Sequence, residues 1–197
     1  MKRELKRQLA HLSGIFIVIL LIYFGKFFTE ILTFSILIGF IFLSIYKIKF
    51  LRKSKPHFKF FGEIEKNFFE FIDSFDRKEK IPYKGALTFF LSATIVILIF
   101  PLEISIISIS VLCIYDSFAT LIGSYFGKHK IFFNPRKSLE GTFFAFLITF
   151  FVIFAFFDLK IAFLSSFFAM LTEILPIRVD DNLTIPFVVG IVLVLFT

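Results

Sequence analysis

Apolar blocks recur from one end of this 197-residue chain to the other, and they amount to more hydrophobic sequence than a soluble core of this size needs. Hydrophobic residues fill 58% of positions, with 35 Phe and no Trp. A bilayer accepts such helices because each satisfies its own backbone polar groups internally. The blocks predict seven spans, at about Leu12 to Phe28, Thr29 to Tyr46, Gly85 to Phe100, Leu102 to Ser124, Thr142 to Phe157, Ile161 to Leu175 and Leu183 to Phe196. The expected fold is all-α: a polytopic integral membrane protein forming one domain over residues 1–197. Several blocks fall short of the usual span of about 20 residues, so their ends extend through flanking Ser, Thr or Gly.

Charge sets the orientation. Every Lys and Arg except Lys26 and Lys160 falls in the amino-terminal tail, between Lys47 and Lys84, in the loop after the fourth span, or at Arg178. With seven spans and the amino terminus inside, all four regions share the cytoplasmic face of the cell membrane. The net charge of +7 is therefore first a topology signal. Cations that flank membrane spans suit anionic lipid or a nucleotide and speak against a nucleic-acid binder. Basic residues ahead of Ile15 to Tyr23 imitate a secretion signal, but no small-residue cleavage site follows, and the segment is expected to stay as the first span. The lone Cys113 lies within an apolar helix, where it has no disulfide partner in the chain and no companion ligands for a metal. Between Lys47 and Lys84, Phe61, Ile64, Phe68, Phe71 or Ile72, and Phe75 recur at helical spacing, with Glu63, Lys66, Glu70 and Asp73 mostly on other faces. That pattern predicts an amphipathic helix along the membrane surface. The sequence carries no internal repeat and no signal of oligomeric state.

An acid inside a span is costly, about 2.5–3.5 kcal/mol at a bilayer centre, and so marks a candidate site. Asp116 is such an acid. Counting the fourth span from Leu102 puts it roughly 8 Å below the cytoplasmic interface. Asp116, Thr120, Gly123 and Gly127 are spaced four, three and four, one stripe of a helix. The stripe runs into the basic loop of Lys128, Arg136 and Lys137. Ser138 is a suitable N-cap for the fifth span, with Glu140, Gly141 and Thr142 in its first turn. A helix start beside Arg136 and Lys137 suits phosphate. Gly123 to Lys128 fails as a P-loop: it is one residue short, lacks the final Ser or Thr, and follows a helix instead of a strand. Arg7 and His11 share one side of the first helix, and Asp180-Asp181-Asn182 opens the last span. Adjacent carboxylates suit Mg²⁺ shared with substrate phosphates, while Asn182 also suits a helix cap. Two basic and two acidic clusters on one face are the parts of a phosphoryl-transfer site.

In order and spacing the motifs resemble the dolichol kinase, phytol kinase and CTP-dependent diacylglycerol kinase family, related to CDP-diacylglycerol synthases. They are Glu4-x-x-Arg7-x-x-x-His11, Lys84-Gly85-Ala86, Asp116-x-x-Ala119-x-x-x-Gly123-x-x-x-Gly127-Lys128, Lys137-Ser138-Leu139-Glu140-Gly141-Thr142 and Asp180-Asp181-Asn182-Leu183-Thr184-Ile185-Pro186. Gln8 departs from the pattern, which often has a second basic residue there. The resemblance implies a membrane enzyme that phosphorylates a lipid hydroxyl from CTP. It assigns divalent metal to Asp116, Asp180 and Asp181, phosphate contacts to Arg7, Lys128 and Lys137, proton removal to His11, and a helper role to Glu140. A cytidylyltransferase acting on a lipid phosphate would use similar parts. A transporter would concentrate its acids near the midplane in repeated halves, and a noncatalytic scaffold would not need the convergent motifs.

Overall fold

The computed structural model describes residues 2–52, 67–68, 70–75, 81–177 and 179–197. Helix α1 (Lys2–Leu12) turns at Ser13 and Gly14 into α2 (Ile15–Arg52). Then come α3 (Lys84–Ile99) and α4 (Leu102–Tyr125), a hairpin of β1 (Lys130–Ile131) and β2 (Asn134–Ser138), and helices α5 (Leu139–Phe154), α6 (Leu159–Ile174) and α7 (Asp181–Phe196). Helix α2 is two arms joined at Gly25, whose φ of 73° and ψ of −177° interrupt the helical path. Glycine enters that region without the steric cost a side chain brings. The sequence puts this break between Phe28 and Thr29; the backbone breaks where the glycine is, and the second arm runs on past Tyr46 to Arg52.

Helix α4 is the hub. It packs on α1, α2, α3, α5, α6 and α7, and everything from Ser108 to Ser117 along it is buried. A helix apolar on all sides has no solvent face to offer, which is why it takes the centre. At its start, Pro101 follows a chain corner where the Phe100 carbonyl accepts from Lys26 Nζ (2.7 Å) and Ser105 Oγ (3.2 Å). The interior is rich in small hydroxyls, including Ser92, Ser105, Ser108, Thr149, Ser165 and Ser166, whereas Phe16, Phe27, Phe42, Phe151 and Leu195 face outward. Small residues let helix backbones approach when the surrounding solvent is itself apolar. Two stretches, Glu4–Lys49 and Leu102–Tyr125, are long and apolar enough to cross a membrane, and α3, α5 and α7 are shorter apolar helices.

The all-α expectation misses the hairpin. β1 and β2 pair antiparallel, Lys130 with Ser138 and Ile131 with Asn134, closing the basic loop into a ribbon that delivers Lys137 and Ser138 in fixed register. Residues 67–68 and 70–73 are helical, and Phe68 and Phe71 face outward. Phe61, Glu63, Ile64 and Lys66 of the amphipathic pattern, and Arg178 of the charge pattern, lie outside the described residues. Lys47 pairs with Asp73 and lies over the Tyr83 ring, and Tyr83 donates to Asp73 Oδ1, so this segment is tied to α2 and to the start of α3.

Candidate active site

Three carboxylates from three helices meet at one end of the bundle: Asp116 of α4, Glu173 of α6 and Asp181 of α7, with oxygens within 4.8 Å of one another. Asp116 is 6% exposed and Glu173 1%. Into this cluster β2 inserts Lys137, whose ammonium donates to Glu173 Oε1 at 2.8 Å and to Asp181 Oδ2 at 2.7 Å. Burial works against the charge of Lys137, but the carboxylates of Glu173 and Asp181 outweigh it and hold the ammonium above its ordinary range. Burial pushes the Asp181 carboxyl up, against the pull of Lys137.

Glu173 is the most fully bonded of the three. Its Oε2 accepts from Tyr115 at 3.0 Å and from Thr142 at 3.3 Å, and its main-chain carbonyl accepts from Asn134 at 3.3 Å. The Asn134 bond, with a second to the Ile174 carbonyl, staples the hairpin to the end of α6. Asp116 is bonded least. Among the described residues nothing donates a hydrogen bond to its carboxylate. His11 stands closest, with Nε2 3.4 Å from Asp116 Oδ2; that nitrogen is buried and has no hydrogen-bond partner. The His11 ring is held edge-on against Phe89 with centroids 5.1 Å apart.

The residues expected from sequence divide into two groups. The structure brings together Asp116, Asp181, Lys137 and His11. Asp180 stays outside the cluster: its side chain caps α7 by accepting from the Asn182 N–H at 3.1 Å, and Lys84 lies 3.8 Å away. The cap is thus Asp180 instead of Asn182, whose amide bonds to Gly85 O and Thr88 Oγ1 and ties α7 to α3. Glu140 turns away to His129, whose Nδ1 lies 2.6 Å from Oε1. The backbone N–H of Glu140 itself, followed by the His129 ring and N–H, holds its carboxyl down to about 2. Arg7 pairs with Glu4 at 2.6 Å, and Lys128 and Arg136 are exposed on the hairpin side.

At the start of α5 the expected anion site is largely satisfied from within. The Leu139 N–H bonds to His129 O, and the Gly141 N–H bonds to the Ser138 side chain at 3.2 Å. The glycines do packing work. A Cβ on Gly141 would lie 2.7 Å from Ala119 O and 2.9 Å from Gly123 Cα, so α4 and α5 cross in backbone contact. Gly127 abuts Ser138 in the same way, its added Cβ falling 2.7 Å from Ser138 Cβ. Glu173 is the member of the cluster that sequence reading missed. It is an acid in the predicted span Ile161 to Leu175, and the rule that singled out Asp116 applies to it equally.

Two buried acids, a third that is partly buried and a lysine thus meet at one end of a bundle of apolar helices. The chain is similar to the probable phytol kinase 1, chloroplastic, of Glycine max, 33% identical over 123 residues, covering 52% of this chain and 40% of that protein. It is also similar to the phytol kinase 1, chloroplastic, of Arabidopsis thaliana, 32% identical over 100 residues, covering 42% of this chain and 33% of that protein. The chain thus spans 40% or less of the length of these curated relatives. No protein-family profile matches the chain, and no solved structure matches it.

Proposed function

We propose that the chain is a membrane lipid-alcohol kinase that transfers the γ-phosphate of a nucleotide, CTP by the resemblance of its motifs, to the hydroxyl of a polyprenol, phytol or diacylglycerol. The observation that carries this reading is the Asp116, Glu173, Asp181 and Lys137 cluster, buried among apolar helices, in a chain similar to phytol kinases. Seven crossings, counting the two arms of α2 separately, put this end of the bundle and the basic segments on the cytoplasmic face. The outward Phe and Leu side chains meet lipid.

In the reaction the lipid oxygen bonds to the γ-phosphorus while the bond from that phosphorus to the β,γ-bridging oxygen breaks, releasing the nucleoside diphosphate. The donor set consists of hard oxygens at close quarters and fits Mg²⁺, so Asp116, Glu173 and Asp181 would hold it, and its chemistry there is to neutralise phosphate charge. His11 Nε2, buried beside Asp116 and free of other hydrogen bonds, can accept the hydroxyl proton. Lys137 is the phosphate-contacting cation, and Lys128 and Arg136 are rim charges that attract the nucleotide.

The test is purified protein in lipid with CTP or ATP labelled in the γ-phosphate and a panel of lipid alcohols. The expected result is γ-label in the lipid with release of CDP or ADP. Entry of α-label into lipid with loss of pyrophosphate would instead make the protein a cytidylyltransferase. For the topology, a lone cysteine at position 128, with Cys113 replaced, should be closed to impermeant reagents outside intact cells; labelling there would overturn the orientation.

A further inference from the structure

We propose that Lys137 is a built-in counter-ion: its ammonium occupies the Asp116, Glu173 and Asp181 cluster until a divalent cation takes its place, and the displaced ammonium then turns to the phosphates of the nucleotide. The final clause rests on the kinase reading above; the exchange of cations does not.

Three carboxylates within 4.8 Å of one another repel, and burial magnifies the repulsion. Lys137 answers only part of it. One ammonium bonds two of the three acids and leaves the third without a bonded cation. The shortfall falls at Asp116, whose carboxylate receives no hydrogen bond among the described residues. The His11 Nε2 aimed at it is itself buried and without a hydrogen-bond partner. A protein designed around a permanent lysine salt bridge would satisfy those atoms. Leaving both open beside a fixed acid is the arrangement of a site that a more highly charged, oxygen-seeking ligand completes.

The lysine is also built to leave. Glu173 is pinned by Tyr115 and Thr142, independently of Lys137, so it keeps its position when the ammonium moves. The Lys137 side chain is 20% exposed, sits on a two-stranded ribbon instead of a helix core, and swings on a flexible four-carbon stem. Two neighbours on the same ribbon and helix turn, Arg136 and Glu140, face away from the cluster toward solvent and toward His129, so the path outward carries no packed side chain of theirs.

The experiment uses the full chain in detergent or nanodiscs, with Mn²⁺ as the probe and no nucleotide or lipid substrate, read by electron paramagnetic resonance of free Mn²⁺. Lys137→Met should tighten Mn²⁺ binding by about tenfold or more, since removing a close competing charge is worth about a pKa unit or more. Glu173→Gln should weaken it by a similar factor. Equal or weaker binding by Lys137→Met would overturn the proposal. If that variant does not fold, the wild-type protein decides the matter. Amine acetylation of Lys137, followed by mass spectrometry with exposed Lys128 as the internal reference, should rise when Mn²⁺ is added; unchanged or reduced labelling overturns the exchange. Absence of label transfer to any lipid alcohol, with the expected Mn²⁺ behaviour, would remove the kinase reading and leave this one standing. Label transfer without the Mn²⁺ effects would do the reverse.

Discussion

Lys137 and Glu140 stand three residues apart, and the sequence casts both as site residues, yet the structure gives them opposite surroundings. Lys137 points inward to Glu173, which is 1% exposed, and to Asp181. Glu140 points outward to His129, whose side chain is 75% exposed. Both are ion pairs with donor and acceptor less than 3 Å apart. Water screens the second pair, so losing either partner leaves the other solvated. The first is largely withdrawn from water, so each charge depends more on the others being present. Similar distances do not make equivalent pairs, because the media around them differ.

The comparison breaks first at Asp116. Asp116→Asn keeps the shape of a helix that is already packed but removes a charge from the shared cluster, so turnover should fall to background while the protein remains inserted and folded. Wild-type activity in that variant, measured by γ-label transfer, would remove the inward group from the chemistry. Next comes Glu173→Ala, which strips Lys137 of one partner and leaves Tyr115 and Thr142 without theirs. A broken buried pair costs about 3–5 kcal/mol, so thermal or denaturant unfolding in detergent should show a large loss of stability along with lost activity. A stability unchanged within error would mean that the cluster is effectively solvated.

Gly141→Val comes third. Its side chain would meet Ala119 O and Gly123 Cα, forcing α4 and α5 apart and displacing the start of α5 that follows Lys137. The added volume should cost about 1–3 kcal/mol, whereas Gly85→Ala, with open space around the new methyl, should cost little. Equal melting temperatures for the two variants would contradict the backbone contact. The smallest effect belongs to Glu140→Gln, expected to leave activity within about twofold because the pair is exposed. The Glu140 carboxyl is depressed from 4.5 to about 2 by its own backbone N–H and then by His129, so the contribution of these contacts is present above about 4.5 and is lost progressively as pH falls through about 2. An NMR titration of that carboxyl with a midpoint near 4.5 would show that neither its own backbone N–H nor His129 holds it in solution.

Much of the helical framework was legible beforehand, because an apolar run flanked by polar residues is a local property. The apolar run Leu102 to Ser124 coincides with the helix Leu102–Tyr125, and the run Leu183 to Phe196 with the helix Asp181–Phe196. The break in α2 was misplaced although Gly25 was visible, since a positive φ is a choice that glycine allows without requiring it. The hairpin was hidden because Asn134 to Ser138 reads as a basic loop until its partner strand is known. In the cluster, Asp116 stands out in the sequence by its position inside an apolar run. Glu173 meets the same criterion in the run Ile161 to Leu175, and Asp180 and Asp181 look equivalent as adjacent acids in a string. They are not equivalent in space: the first residue of the pair caps the helix, and the second projects into the cluster.

What the amino-acid sequence determined by itself is the apolar helical character of the chain, the asymmetry of its cations, and the presence of acids where apolar surroundings make them expensive. These follow from composition and period, which need no partner. Only the tertiary structure decided which charges meet. Asp116, Glu173, Asp181 and Lys137 come from four elements spread over 66 positions of the chain, and their contact depends on how α4, α6, α7 and β2 pack. Coulomb interaction and desolvation act through a few ångströms of space instead of through positions in a chain, so the site exists only once those four elements have been brought together.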